Sequence, residues 1–188
     1  MYLQIGKRAA DILCVILALS FLWPLLLFTA ILIKIYDPGP IIFKQFRIGR
    51  GGKKFLFYKF RSMPVNTGDV SSDKVGQIKL TWIGRLTRRT NIDELPQLFN
   101  ILLGDMSVVG PRPPLPAQED LINLRSDNGA LLCRPGLTGL AQIKSYDGMT
   151  VSEKAGYDGI YSQKITLCRD IQIILKTFLY LLSPPPTY

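Results

Sequence analysis

The sequence predicts an α+β protein with a membrane-embedded N-terminal segment. Three observations carry this: an uncharged apolar run from Ile12 to Ile33, two aromatic and basic segments flanking Gly49-Arg50-Gly51-Gly52, and an amphipathic stretch from Asn91 to Leu103. Asp37-Pro38-Gly39-Pro40 breaks the chain, dividing a membrane-anchoring unit, residues 1–36, from a folded unit, residues 37–188. Hydrophobic residues make up 47% and charged residues 20% of the 188, which excludes disorder for most of the chain. Lys and Arg number 23 against 14 Asp and Glu, and the resulting +9 points to an anionic partner: phospholipid headgroups, nucleotide phosphates or nucleic acid. There is no histidine, so Ser-His triads, Cys-His pairs and His-liganded zinc are excluded, and catalysis must use carboxylates, Lys, Arg, Tyr, Cys or a hard metal. Cys14, Cys133 and Cys168 form no C-x-x-C pair and fit a reducing compartment.

The first element is the apolar run. As helix its about 22 residues measure roughly 33 Å, enough to cross a bilayer. Pro24 near its middle removes a backbone hydrogen bond and predicts a bend, and Ser20 is placed to offer its hydroxyl to a freed backbone group. Lys7 and Arg8 precede the run, while Lys34, Lys44, Arg47, Arg50, Lys53 and Lys54 follow it. The positive-inside rule wants both flanks on the cytoplasmic side, which a single crossing cannot provide. From these residues a re-entrant helix-break-helix hairpin and a kinked span stand level.

The second element is a β-hairpin, IIFKQFRI and KFLFYKFR around the glycine-rich turn. Alternation puts Phe55, Phe57, Lys59 and Arg61 on one face, where the two cations form either a solvated edge or a phosphate grip. A polar loop, Asn66 to Gly76, follows, and then a mixed stretch with Trp82 and Leu86 expected inside and Arg85, Arg88 and Arg89 available to anions. Neither G-x-x-x-x-G-K-[ST] nor G-x-G-x-x-G occurs.

The third element is the helix that holds Asp93 and Glu94. Asn91 as N-cap gives a capping box with Glu94, whereas Asp93 as N-cap leaves Pro96 in the first turn, the start that the proline favours. Both starts place the carboxylates at the positive end of the helix dipole, which favours ionisation. An ionised Asp is a candidate nucleophile and a Glu pointing elsewhere a candidate Mg²⁺ ligand, since adjacent helical positions diverge by about 100°. On spacing alone, capping is the commoner role. Downstream, a short apolar strand feeds the rigid turn Pro111-Arg112-Pro113-Pro114, which presents one guanidinium suited to phosphate. The stretch Ser145 to Tyr161 is polar, with Asp147, Glu153, Asp158 and Tyr residues, and Ile171 to Leu182 reads as a buried or interfacial helix before Pro184-Pro185-Pro186.

FKQFRIGRGGKKFLFYKFRSM, LTRRTNIDELPQLFNILLGDMSVVGPRP and RPGLTGLAQI, in that order behind an apolar segment preceded by Lys7-Arg8, resemble the bacterial sugar transferases. The resemblance is to the small monotopic polyprenyl-phosphate phosphoglycosyl transferases and covers the chain from about Lys7 to the mid-140s. It implies a re-entrant N-terminal helix broken at a Ser/Pro pair, here resting chiefly on Pro24, under a small α/β catalytic domain with amphipathic interfacial helices on the cytoplasmic face of the bacterial inner membrane. The implied activity moves a phospho-sugar from a UDP-sugar to undecaprenyl phosphate with Mg²⁺ and releases UMP, as the first membrane step of glycoprotein, lipopolysaccharide or capsule assembly. By the same resemblance Asp93 is the nucleophile that forms an aspartyl-phosphosugar, and Glu94 binds the metal. Arg88 and Arg112 are the cations that offset charge, Lys59 and Arg61 face the phosphates, Pro111 and Pro113 shape a uridine site, and the polar stretch Ser145 to Tyr161 is a candidate lining for the sugar with Asp158 as a polar contact. Membrane phospholipids and downstream glycosyltransferases are the further partners expected, with no nucleic acid. The competing class, a non-enzymatic basic membrane-surface or nucleic-acid-binding protein, accounts for the charge and the apolar anchor but not for Asp93-Glu94 or the Pro-Arg-Pro turn.

Overall fold

The computed structural model describes residues 2–64, 80–144 and 149–182. The expected loop from Asn66 to Gly76, the start of the polar stretch at Ser145 and the terminal prolines Pro184–Pro186 lie outside them. Helices and two small sheets are mixed along the described chain, as an α+β reading requires.

After a π-helical turn at Tyr2–Gly6, α1 runs from Lys7–Tyr36. It is rich in Leu, Ile and Ala and stops where Pro38 cannot continue it, with the Asp37 N–H donating to the Ile33 carbonyl at 2.9 Å. Pro24 does not end it: the helix is uninterrupted there, which corrects the expected helix-break-helix. The Ser20 hydroxyl donates to the Ile16 carbonyl at 2.9 Å, one turn back, so it serves its own turn and not a group freed by Pro24.

One stripe of α1 lies on the rest of the protein along its whole length. Asp11, Val15, Thr29 and Ile33 are buried, with Ala18, Leu19, Leu22, Leu26 and Ala30 partly covered between them. These steps of three and four residues make a single helical face. The opposite face leaves Leu17, Phe21, Trp23, Leu27, Phe28 and Ile31 exposed. Polar groups tie both ends to the same body. Arg8 donates to the carbonyls of Ile101 and Leu102 at 2.5 and 2.8 Å, at the negative end of a helix, and Lys7 pairs with Asp170 at 2.7 Å. At the other end Arg61 pairs with Asp37 at 3.2 Å. Lys7 and Arg8, the cations that precede the apolar run, are therefore committed to protein partners.

The hairpin forms as predicted: β1 (Ile42–Ile48) and β2 (Lys54–Phe60) pair antiparallel from Ile42↔Phe60 to Ile48↔Lys54. Its turn needs two residues at positive φ, and Gly51 (65°) and Gly52 (78°) supply them. On its far edge β2 is closed by Asn100 of α3 (Gln97–Leu103), which is fully buried. The Asn100 amide donates to the Leu56 carbonyl at 2.7 Å and its oxygen accepts the Tyr58 N–H at 3.0 Å. Between α1, β2 and α3, the side chains of Val15, Phe57, Leu98, Ile101 and Met106 form one core cluster, while Ile33, Phe60 and Ile83 form another. Both faces of β2 are thus used, Phe57 on one and Phe60 on the other.

Helix α2 (Trp82–Arg89) is capped by Thr81, whose hydroxyl accepts the Gly84 N–H. It buries Ile83, Gly84 and Thr87 and exposes Trp82 and Leu86, the reverse of the expectation for those two. The short strand β3 (Ser107–Val109) pairs parallel with β4 (Gly136–Thr138), so closely that a Cβ on Gly136 would lie 2.1 Å from the Gly110 nitrogen. The helices α4 (Glu119–Asp127), α5 (Leu140–Lys144), α6 (Val151–Gln163) and α7 (Leu167–Leu182) complete the body, α6 packing on both α4 and α5. On α7 the side chains of Ile171, Leu175, Phe178 and Leu179 are exposed, as are Phe99 and Leu103 of α3.

Candidate active site

Asp93 and Glu94 stand on a 3-10 turn, Ile92–Glu94, directly ahead of α3. Neither is the N-cap of that helix. Pro96 has no N–H to give the Ile92 carbonyl, which instead accepts from Leu95 at 3.2 Å, and the α-helix starts only at Gln97. The turn is entered through Asn91 in the left-handed region, φ 54°, a conformation Asn tolerates better than most residues. The proline therefore does locate the helix start, but downstream of the carboxylates, and this frees both side chains from capping.

The two carboxylates are held in opposite states. Asp93 is 6% exposed, and its burial, reinforced by the Glu94 charge, pushes its pKa up to about 6 against the pull of Lys59, Arg88 and Arg112. The dipole argument for a readily ionised Asp93 fails because desolvation outweighs it. For Glu94 crowding also opposes ionisation, but the Arg112 charge and hydrogen bonds, Lys59 and the nearby Gln97 amide overcome it and hold the carboxyl below its usual range. Arg112 grips Glu94 with both terminal nitrogens, Nη1 donating to Oε2 at 3.1 Å and Nη2 to Oε1.

Three elements bring cations to this pair. Lys59 comes from β2, where burial lowers its pKa while Asp93 and Glu94 oppose that shift, and its ammonium lies 5.4 Å from the Phe43 ring centre. Arg88 comes from the last turn of α2, with Nη1 buried and without an acceptor among the described residues. Arg112 comes from the proline turn, which is pinned at four successive carbonyls. Those of Pro111 and Pro114 accept the backbone N–H groups of Gly136 and Ile48 at 2.9 and 3.0 Å. Those of Arg112 and Pro113 accept Arg125 and Arg47 at 2.8 and 3.2 Å.

Lys59, Arg88, Arg112, Asp93 and Glu94 thus converge as the sequence suggests, and three other expectations need correction. Arg61 is 4% exposed, its Nη2 pairs with Asp37 at the end of α1, and its Nε and Nη1 are buried without a partner among the described residues. It is not among the charges that act on Asp93 or Glu94, so it stands apart from the pair. Asp158 is 1% exposed and accepts Arg125 Nε and Nη2 at 2.8 and 2.6 Å, so it is a core ion pair and no sugar contact. Pro111 and Pro113 are buried while Arg112 between them is exposed, so the prolines hold the turn and offer no surface to a nucleoside. Sequence reasoning missed Arg125, which steadies the Arg112 backbone, and Gln97. A Glu/Gln search at three- and four-residue spacing from Asp93 would have found the latter.

Among the described residues no three His, Cys, Asp or Glu side chains form a metal-holding group. The donor set fits Mg²⁺ in one way only: hard carboxylate oxygens from this pair, with the remaining positions filled by phosphate and water oxygens, the usual habit of that ion.

Comparison with known proteins places the chain in a family. The family model of the bacterial sugar transferases matches residues 2–184. A UDP-glucose:undecaprenyl-phosphate glucose-1-phosphate transferase of Caulobacter vibrioides is 39% identical over 98% of this chain and 73% of its own length. An exopolysaccharide production protein, PSS, of Rhizobium leguminosarum is 42% identical over 91% of this chain and 92% of its own. A UDP-N-acetylgalactosamine-undecaprenyl-phosphate N-acetylgalactosaminephosphotransferase of Aeromonas hydrophila is 37% identical over 94% of this chain, which spans only 44% of that protein. The chain belongs to the bacterial sugar transferase family.

Proposed function

We propose that this member of the family transfers a sugar-1-phosphate from a UDP-sugar to undecaprenyl phosphate, through a covalent intermediate on Asp93. The observation that carries the reading is a buried carboxylate left without an ion-pair partner among three cations and beside a second carboxylate that is already neutralised. In the first step an Asp93 oxygen attacks the sugar-bearing phosphorus. The bond from that phosphorus to the bridging oxygen breaks, UMP leaves with the oxygen and its electron pair, and an acyl phosphate remains on Asp93. In the second step a phosphate oxygen of undecaprenyl phosphate attacks the same phosphorus, forming the diphosphate and returning the Asp93 carboxylate. No proton acceptor of the imidazole kind is needed, in keeping with a chain that has no histidine.

Lys59 and Arg88 attract and orient the diphosphate, and Arg112, fixed by its pinned turn, keeps Glu94 ionised. Glu94, with Asp93 beside it, would hold Mg²⁺, which when bound supplies charge neutralisation at the diphosphate. The sugar is left open, since the named relatives act on different UDP-sugars.

The setting we propose is monotopic, at the cytoplasmic face of the bacterial inner membrane, with residues 1–36 as the anchor. In support, both ends of α1 are tied to one body, so they lie on one side of any bilayer that body does not cross, and the outward face of α1 is apolar. Cysteines introduced as Ile5→Cys and Lys53→Cys, with the native cysteines replaced, should both react with impermeant reagent only from the cytoplasmic side. Periplasmic labelling of the Ile5→Cys chain alone would indicate a span.

The activity is tested by incubating the purified chain with undecaprenyl phosphate, Mg²⁺ and a panel of UDP-sugars and measuring UMP. Acceptor-dependent UMP release with at least one sugar is expected. Its absence from all would return the chain to the class of basic membrane-surface proteins.

A further inference from the structure

We propose that Gln97 is a further catalytic residue of this transfer, its side-chain Nε2 donating to a non-bridging oxygen of the phosphoryl group that Asp93 attacks. The inference rests on the transferase reading and adds a residue to it.

Leu95 and Pro96 have right-handed helical angles, so the chain stays helical from the 3-10 turn into α3. Gln97 then follows Glu94 by three residues and Asp93 by four, the spacings that share one side of a helix. The side chain is 1% exposed, yet Nε2 has no acceptor among the described residues. Buried amides are rarely left so. The contrast with Asn100 is direct: three residues on, the same functional group has its oxygen and nitrogen both satisfied by the edge of β2. Gln97 is therefore not closing a strand. Its amide is near enough to Glu94 to favour the ionised carboxylate, which locates it at the acidic pair, but it does not meet the geometry of a hydrogen bond there.

Arg88 Nη1 is in the same condition, buried and without an acceptor among the described residues. Two unpartnered donors, one brought by α2 within reach of the Asp93 charge and one by α3 beside Glu94, call for a ligand rich in acceptor oxygens. A phosphoryl group is that ligand, and in transfer its charge spreads over three equatorial oxygens that must each be met. An amide suits one of them. It adds a directed hydrogen bond without adding a fourth cation, and it cannot take up or release a proton, so its part is stabilisation alone.

The test uses the full chain in detergent or nanodiscs, with the UDP-sugar that supports wild-type UMP release. Gln97→Met keeps size and burial but removes the amide. The UMP formed in the first turnover, at saturating UDP-sugar and without acceptor, should appear about 10–100-fold more slowly. The thermal midpoint should equal or exceed that of the wild type, because an unpartnered buried amide has been removed. Gln97→Asn, one methylene shorter, should show the same rate defect with the amide retained. A first-turnover rate within about twofold of wild type in both variants would overturn the inference, as would a slower rate matched by a proportionate loss of folded protein. If the wild-type chain itself releases no UMP from any UDP-sugar, the transferase reading fails and this inference with it.

Discussion

Asp93 and Asp158 are both buried carboxylates, at 6% and 1% exposure, and the protein treats them in opposite ways. Asp158 receives two nitrogens of Arg125 at 2.8 and 2.6 Å, so that although burial raises its pKa a full charge sits opposite it. Asp93 receives no hydrogen bond or ion pair among the described residues and feels its cations only through space. The nearest carboxylate, Glu94, takes up Arg112. Satisfied burial builds structure, and burial left short of partners marks where a substrate is to be met.

The largest way to break this comparison is Asp93→Asn. First-turnover UMP release should fall by at least about a thousandfold while the chain stays folded, since an amide is a poor nucleophile. The variant should also be the more stable protein at pH 7.5. A carboxylate whose folded pKa is about 6 against 3.8 unfolded binds more protons when folded, so stability falls as pH rises across that window. The amide escapes this penalty, worth up to about 3 kcal/mol in denaturant unfolding without added metal, and the advantage should vanish near pH 4. Wild-type first-turnover rate should rise with pH through about 6 as Asp93 ionises.

Asp158→Ala should do the reverse and attack the fold. It leaves Arg125 charged and buried, which costs about 3–5 kcal/mol, and replacing both partners by Met and Leu should recover most of that. A stable Asp158→Ala chain with specific loss of activity would move Asp158 from the core to the site. Glu94→Gln is the smallest change. Its partner Arg112 is 46% exposed, so stability should shift by less than about 1 kcal/mol. Turnover should fall and the Mg²⁺ titration move to higher concentration, and an unchanged titration would remove Glu94 from metal binding.

How far the sequence could be read follows the same division. The hairpin was legible because its alternation and glycine turn are local, and α1 because an uncharged run of that length has few other fates. Asp93, Glu94, Lys59, Arg88 and Arg112 were legible as motif residues. What failed was long-range. Nothing near Arg61 in the chain says that Asp37 will claim it, and nothing near Asp158 announces Arg125, which is 33 positions away. The start of α3 was misplaced because Pro96 is compatible with an early cap as well as with a 3-10 turn that runs on into the helix. The parallel pairing of β3 with β4 was missed because three-residue strands carry too little periodicity to show.

The claim on which the rest depends is that Asp93 itself receives the phospho-sugar. Purified protein is mixed with a UDP-sugar labelled in the sugar, with no lipid acceptor, and UMP and labelled protein are counted before the adduct is mapped by mass spectrometry. The account predicts about one UMP per active site, an equal amount of phospho-sugar on Asp93, and release of that label on adding undecaprenyl phosphate. UMP formed only when both substrates are present, with no label on Asp93, would contradict it.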